Sequence, residues 1–384
     1  MPTYGPVSVM MVKGAGSELW DASGKRYIDW LAGIAVCSLG HSHPVVADAI
    51  AAQAKKLLHV SNLFATEHQG PVSNLISHMV GRPGQVFFAN SGAEANEAAL
   101  KLARKWGGRG RHNVVCAFQS FHGRTLNTLA ATGQPAKWEA FQPLPEGFKH
   151  AVWADIEDLE RQLDETVAAI LLEPVQGEGG VNPASVEYFT AVRRMCDERD
   201  LLFIVDEVQA GLGRTGKWFG FQHFFPEGEG PDVITLAKAL GNGVPIGACW
   251  ATPTASASFK RGDHATTFGG QPIATSAARA TLETMIAIDA PQMAAEKGEK
   301  LTAAVMAIDG VVGTRGLGLL LAVELAGGID AAAVAAECLR QGLVLNAVTG
   351  TALRLTPPIT IPDELIAEGA EILADVIETV RAGQ

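Results

Sequence analysis

The sequence has 384 residues, 47% of them apolar and 18% charged, with a formal net charge of −11, long enough for two or three domains' worth of chain and an ample core. Acidity of that size argues against nucleic acid or an anionic membrane surface as the main partner, and no long uncharged apolar span offers a membrane crossing. The five cysteines, Cys37, Cys116, Cys196, Cys249 and Cys338, are scattered without a C-x-x-C pair, which favours reduced thiols in the cytoplasm over a disulfide framework or a zinc site.

In chain order, ELWDASGKRYIDW reads as two short strands around a D-A-S-G turn. A helix follows Pro44, with Val46, Ala49, Ile50 and Leu57 at helical spacing. From Gln85 the apolar runs VFFA, NVVCAF, AAILLEP, LLFIV, VITLA and GACWA alternate with segments of helical periodicity. That alternation predicts βα units and an α/β fold, its mostly parallel sheet covered on both faces. Near residue 280 the texture changes to short strands (GLGLLLAVEL, LVLN, LRLTP), a helical AAAVAAECLRQ and a final helix from Asp363. The expected organisation is an N-terminal segment, 1–45, packing with a small α+β domain, 281–384, and a large domain, 46–280, between them.

Ligands of open α/β sheets sit beyond the carboxyl ends of the strands, so the polar residues there carry the functional reading. Ser91-Gly92-Ala93-Glu94 is a capping box that opens a helix, and Gly92 and Ala93 offer amides to an anion such as phosphate. Phe121 and Arg124, after the next strand, pair an aromatic suited to stacking with a cation suited to a carboxylate. The loop EPVQGEGG brings Glu173 and Glu178 to the same edge. LLFIV ends in Asp206 and Glu207, and VITLA delivers Lys238 into a glycine-bounded loop. An acid and a lysine so placed match the needs of pyridoxal phosphate, whose aldehyde forms a Schiff base with lysine and whose pyridine nitrogen needs a carboxylate. On those two residues alone, a turn-capping acid and a solvated lysine are the simpler explanation, since most lysines are solvated.

Two nucleotide motifs overlap this stretch and both fail. Gly211, Gly213 and Gly216 satisfy G-x-G-x-x-G, but DEVQ separates them from the strand and no amphipathic helix follows. Gly211 to Lys217 approaches the phosphate-binding loop, yet Trp218 stands where magnesium needs a hydroxyl. Thr266 and Thr267 precede a Gly-Gly bend, and Arg354 is a cation on an apolar strand that needs a partner if buried.

Together SGAEANE, FHGRT, EPVQGEGG, DEVQAGLGRTG, LAKALGNG and TTFGGQP closely resemble the class III, ornithine-type, pyridoxal-phosphate aminotransferases, from about Gly14 to the final helix. The resemblance implies the fold type I, aspartate-aminotransferase-like architecture and a homodimer with sites at the subunit interface. It implies that Lys238 carries pyridoxal 5'-phosphate as a Schiff base and that Asp206 pairs with the pyridine nitrogen. Glu207, in the same block, would belong to the cofactor site, with Gln209 bonding the ring's phenolic oxygen. Phe121 would stack on one face of the ring and Val208 pack on the other. Gly92 and Ala93 would cradle the phosphate, joined by Thr267 of the partner subunit. Arg124 would bind the α-carboxylate of a small-molecule amino donor, with Thr266 near it. Arg354 would hold the α-carboxylate of 2-oxoglutarate, and Glu178 would screen that arginine while the donor reacts. Two positions depart from the pattern. LRLTPP is closest to the ornithine and general ω-amino-acid type, and Gln271 stands where an asparagine is expected. Both bear on substrate choice and neither on the cofactor.

Overall fold

The computed structural model describes residues 1–5 and 7–383. A seven-stranded sheet forms its centre, in the order Gln85–Ala89, Gly247–Ala251, Val233–Leu236, Leu202–Asp206, Val167–Leu172, Asn113–Ala117 and Phe148–Ala151. All six expected strands are present, and Leu202–Asp206 runs parallel to both of its neighbours. Gly247–Ala251 lies antiparallel between its two neighbours, so the sheet is mostly rather than wholly parallel. Phe148–Ala151 escaped the sequence reading. It is an edge strand that pairs only with Asn113–Ala117, and its FKHA sequence therefore lacks a continuous apolar run.

Successive side chains of a strand point to opposite faces, and that alternation explains how the sheet is covered. Leu202 and Ile204 join a buried cluster with Ala98, Ala99 and Leu102 of the helix Gly92–Gly107. Phe203 faces the other way and meets Phe189 of the helix Val186–Arg199, with ring centroids 5.5 Å apart. Each large apolar side chain buried in this way contributes about 1.5–3 kcal/mol. By the same alternation Asp206 falls on the face covered by the helix Gly92–Gly107. Among the described residues no helix is long and apolar enough to cross a membrane.

The C-terminal residues build a second sheet, in the order Val311–Leu317, Leu320–Leu325, Ala352–Leu355 and Asn346–Ala347. The run GLGLLLAVEL, expected as one strand, is instead the turn and return of a hairpin, because Gly318 adopts φ +53°. A third sheet joins the ends of the chain. Met11–Ala15, Glu18–Asp21 and Arg26–Asp29 are extended by Leu343–Val344, which pairs in parallel with Arg26–Asp29. The helix Pro272–Ala287 passes through residue 280, so the change of sequence texture falls inside a helix rather than at a linker.

The final helix, Asp363–Ala382, packs its Gly369 on the fully buried Trp30. A Cβ at Gly369 would lie 2.4 Å from the indole ring. Helix propensity favours alanine over glycine by about 1 kcal/mol, whereas overpacking a fixed core costs about 1–3 kcal/mol. With a buried ring that close, the clash wins. Gly369→Ala is therefore expected to lower the melting temperature, and a rise on thermal unfolding would refute that packing argument.

Candidate functional site

The strand ends open into a cavity of about 420 Å³, lined among others by Gly92, Ala93, Phe121, Arg124, Glu173, Glu178, Asp206, Val208, Gln209 and Lys238. Asp206 forms its floor, only 4% exposed. Its Oδ2 accepts from Asn96 Nδ2 at 2.7 Å and His122 Nδ1 at 2.9 Å, and its Oδ1 from the Val208 amide at 3.0 Å. Thr235, on the adjacent strand, donates to Asn96 Oδ1 at 2.7 Å, which fixes the orientation of that amide. All three of these partners of the carboxylate are N–H donors, so the anion is held in place.

Gly92 and Ala93 open the helix Gly92–Gly107, where first-turn amides have no acceptor within the helix. Ser91 caps the helix by accepting from the Glu94 amide at 3.2 Å. Glu94 reaches back one residue further than a capping box requires, to the amide of Asn90 at 2.9 Å. A Cβ on Gly92 would stand 3.0 Å from both Val208 methyl carbons, so this position has room for little beyond glycine.

Lys238 follows the strand Val233–Leu236 and sits at φ +42°, in the left-handed region that side chains rarely adopt. The turn is tied down beyond it, since Asn242 accepts from the Leu39 amide at 2.9 Å and donates to Gly40 O at 3.1 Å. Burial brings the Lys238 ammonium down to about 8. The negative charges of Glu178, Asp206 and Glu173 oppose that shift, and the positive charge of Arg354 assists it.

Arg354, 1% exposed, has the partner that a buried cation requires. Its Nη1 pairs with Glu178 Oε1 at 2.5 Å and donates to Gln209 Oε1 at 3.2 Å, while its Nε donates to Asn346 Oδ1 at 3.2 Å. Burial pushes the Glu178 carboxyl up, but the charge and hydrogen bond of Arg354, the Lys238 charge and Gln209 together bring it below its ordinary value. Arg124 is exposed at the cavity mouth, its guanidinium carbon 5.5 Å from the Phe121 ring centroid, and Lys137 Nζ lies 5.1 Å from the same centroid. The Phe121 amide donates to Glu173 Oε2 at 3.0 Å. Burial and the neighbouring Asp206 charge push the Glu173 carboxyl well above the usual range.

Glu207, Thr266, Thr267 and Gln271, all marked in the sequence, do not line this cavity, and Arg354 meets it only through Glu178 and Gln209. Glu207 turns under the loop, where its two oxygens accept from the amides of Gly220 at 2.9 Å and Phe221 at 2.8 Å. Thr266 Oγ1 accepts from Asn90 Nδ2 at 3.3 Å and from the Gly269 amide at 3.2 Å. It lines, with the exposed Thr267, a separate groove that includes Asn62 and Phe88. Gln271 caps the helix Pro272–Ala287 by accepting from the Ile273 amide at 3.0 Å, so this departure from the family pattern is a local helix cap. Sequence reasoning missed Asn96, His122 and Lys137. Asn96 and His122 stand inside quoted motifs, and the available signal was a polar residue on the apolar side of its helix and a histidine beside the stacking aromatic.

The family model Aminotransferase class-III matches residues 2–377. The chain belongs to the class III aminotransferases. These enzymes depend on pyridoxal phosphate, and the donor set described above fits that group: an amine, a fixed carboxylate, an aromatic ring and a helix N-terminus walled by small residues. The aminotransferase is 45% identical to the acetylornithine aminotransferase of Caldanaerobacter subterraneus subsp. tengcongensis, covering 99% of this chain and 98% of that protein. In structure it is similar to the N-acetylornithine aminotransferase of Stenotrophomonas maltophilia, with a TM-score of 0.86 and 33% identity over 99% of this chain and 98% of the other. It is also similar to the ornithine aminotransferase of Toxoplasma gondii, with a TM-score of 0.93 and 31% identity over 100% of this chain and 93% of the other.

Proposed function

We propose that the aminotransferase moves the terminal amine of N2-acetyl-L-ornithine to 2-oxoglutarate, giving N-acetylglutamate 5-semialdehyde and glutamate, a step of arginine biosynthesis. The ion pair between Glu178, which lines the Lys238 cavity, and the buried Arg354 carries the proposal. One site must accept an amine whose nearest carboxylate is distant, then a keto acid whose carboxylate is adjacent. A buried arginine that a neighbouring acid covers in one half-reaction and uncovers in the other meets both demands. The acetylornithine reading is further supported by the 45%-identical relative. LRLTPP and the likeness to an ornithine aminotransferase favour the second reading, an ω-aminotransferase for ornithine, succinylornithine, N-succinyl-diaminopimelate or 4-aminobutyrate.

Bound pyridoxal phosphate supplies an electron sink for a carbanion at the carbon that bears the donor's amine. In the proposed site Lys238 would hold the cofactor, and its Nζ, when free, would take and return the proton at that carbon. Asp206 would keep a proton on the pyridine nitrogen, and Gln209 would bond the phenolic oxygen. Phe121 and Val208, which both line the cavity, would pack against the ring. The amides of Gly92 and Ala93, with Thr267 of the partner subunit, would bind the phosphate. Arg124, at the cavity mouth, would take the donor's α-carboxylate. Arg354 takes that of 2-oxoglutarate. Glu207 supports this site through the loop beneath it.

We infer a homodimer in the cytoplasm. Leu63, Phe64 and Phe268 are exposed beside the groove that holds Thr267, apolar surface of the kind a second copy covers. The five free cysteines suit a reducing compartment. The deciding experiment loads the protein with pyridoxal phosphate and compares kcat/KM for the five donors with 2-oxoglutarate as acceptor. N-acetylornithine is expected to lead. A higher value for ornithine or 4-aminobutyrate would overturn the acetylornithine assignment and leave the ω-aminotransferase reading.

A further inference from the structure

Glu178 stands at the tip of a hairpin in which Val175–Gln176 pairs with Asn182–Pro183. The base of this hairpin is anchored to the large sheet, for Gln176 Nε2 donates to Phe118 O at 2.9 Å. Its tip is held from the opposite side by the C-terminal sheet. There Arg315 Nε donates to Gly180 O at 2.7 Å, while Arg315 Nη1 donates to Glu324 Oε2 at 2.6 Å. Glu324 is held in turn by the Thr351 hydroxyl. Gly180 adopts φ +117°, and a Cβ there would lie 3.3 Å from Arg315 Nη2, so glycine lets the guanidinium close on the carbonyl.

Register shows what this contact does. Ala322 is directly opposite Arg315 on one side and directly opposite Arg354 on the other. Directly opposed residues share a face of a sheet, so the two arginines occupy one row with a small alanine between them. One grips the hairpin tip by the Glu178 side chain, the other by the backbone two residues further on. We propose that Arg315 is a positioning residue for the carboxylate gate: it fixes the hairpin tip so that Glu178 returns to Arg354 after each keto acid leaves, and so restrains entry of α-carboxylates. This rests on the reading of Glu178 as the cover of Arg354. Arg315 and Glu324 are each about a third exposed, and ion pairs of that kind add little to stability, so a stabilising role alone explains the arrangement poorly.

The test uses the pyridoxal-phosphate-loaded protein and glutarate, a dicarboxylate without an amine or keto group, bound in a calorimeter. Losing one hydrogen bond of the usual net strength corresponds to about a fivefold change in an equilibrium. Arg315→Ala is accordingly expected to bind glutarate about fivefold tighter, and to raise the single-turnover rate with glutamate relative to N-acetylornithine. Glu324→Gln, which leaves Arg315 in place but loosens it, shifts both readouts the same way by less, and serves if Arg315→Ala folds poorly. Glu178→Gln shifts them further, and adding Arg315→Ala to it changes nothing more. A merely structural role for Arg315 would slow both half-reactions alike and leave glutarate binding equal or weaker, which overturns the proposal. If Glu178→Gln leaves glutarate binding unchanged, the gate itself fails and the positioning role with it. If Glu178→Gln tightens binding and neither Arg315→Ala nor Glu324→Gln does, the gate stands and Arg315 has no part in it.

Discussion

Lys238→Ala is expected to lower transamination by about 10⁴-fold or more and to abolish covalent retention of pyridoxal phosphate. Both effects follow from one amine, at the end of the strand Val233–Leu236, that lines the cavity with Asp206 and Glu178. The expected pH dependence is specific to this environment. An amine adds to an aldehyde only without its proton, and the neutral fraction falls about tenfold for each pH unit below the pKa. Burial has brought Lys238 down to about 8 from an ordinary value of 10.5. The rate at which cofactor-free protein captures pyridoxal phosphate should therefore rise with pH and level off with a midpoint near 8. Glu178 raises the Lys238 value, so Glu178→Gln should move that midpoint lower. Borohydride reduction followed by mass analysis of the peptide that contains Lys238 reads both predictions. A midpoint near 10.5, or cofactor trapped on another lysine, would remove Lys238 from the proposed role.

Most of the sheet was legible in the sequence because its inner strands are buried on both faces and read as unbroken apolar runs, and the edge strand Gln85–Ala89 keeps the apolar run VFFA. Phe148–Ala151 was not, since an edge strand has no second partner and tolerates Lys149 and His150 within it. The hairpin at Gly318 was hidden for a different reason: apolar residues continue through the turn, and only the positive φ of a glycine marks it. At the site, Lys238 and Asp206 stood out because both follow apolar runs directly. Asn96 and Thr235 did not, although Asn96 holds Asp206 and Thr235 holds Asn96. Their role depends on which face of the sheet Asp206 occupies, and that is fixed only when the helix Gly92–Gly107 is laid across the strand. The same limit hid Arg315. Its relation to Arg354 is a cross-strand row through Ala322, which sequence separation does not disclose.

Asp206→Asn tests whether the floor of the cavity must be an anion or only a polar group, and is expected to lower kcat by about 10³-fold, roughly 4 kcal/mol. The two side chains have nearly the same shape, so the effect comes from charge and from hydrogen bonding. Asp206 accepts from Asn96, His122 and the Val208 amide. An asparagine has one acceptor and one donor end. If its NH₂ replaces Oδ2, it faces the N–H groups of Asn96 and His122; if it replaces Oδ1, it faces the Val208 amide. Asn96 cannot simply turn over, because its oxygen already accepts from Thr235. A neutral amide also gives up the attraction that keeps a proton on the pyridine nitrogen, and without that proton the ring withdraws electrons poorly. The substitution should therefore leave Lys238 able to capture pyridoxal phosphate while slowing proton removal from the donor. A deuterium label at the donor's reacting carbon would then give a larger isotope effect than in the parent protein. Activity within tenfold of the parent would show that charge at this position is dispensable, and would return Asp206 to the role of a turn-capping acid.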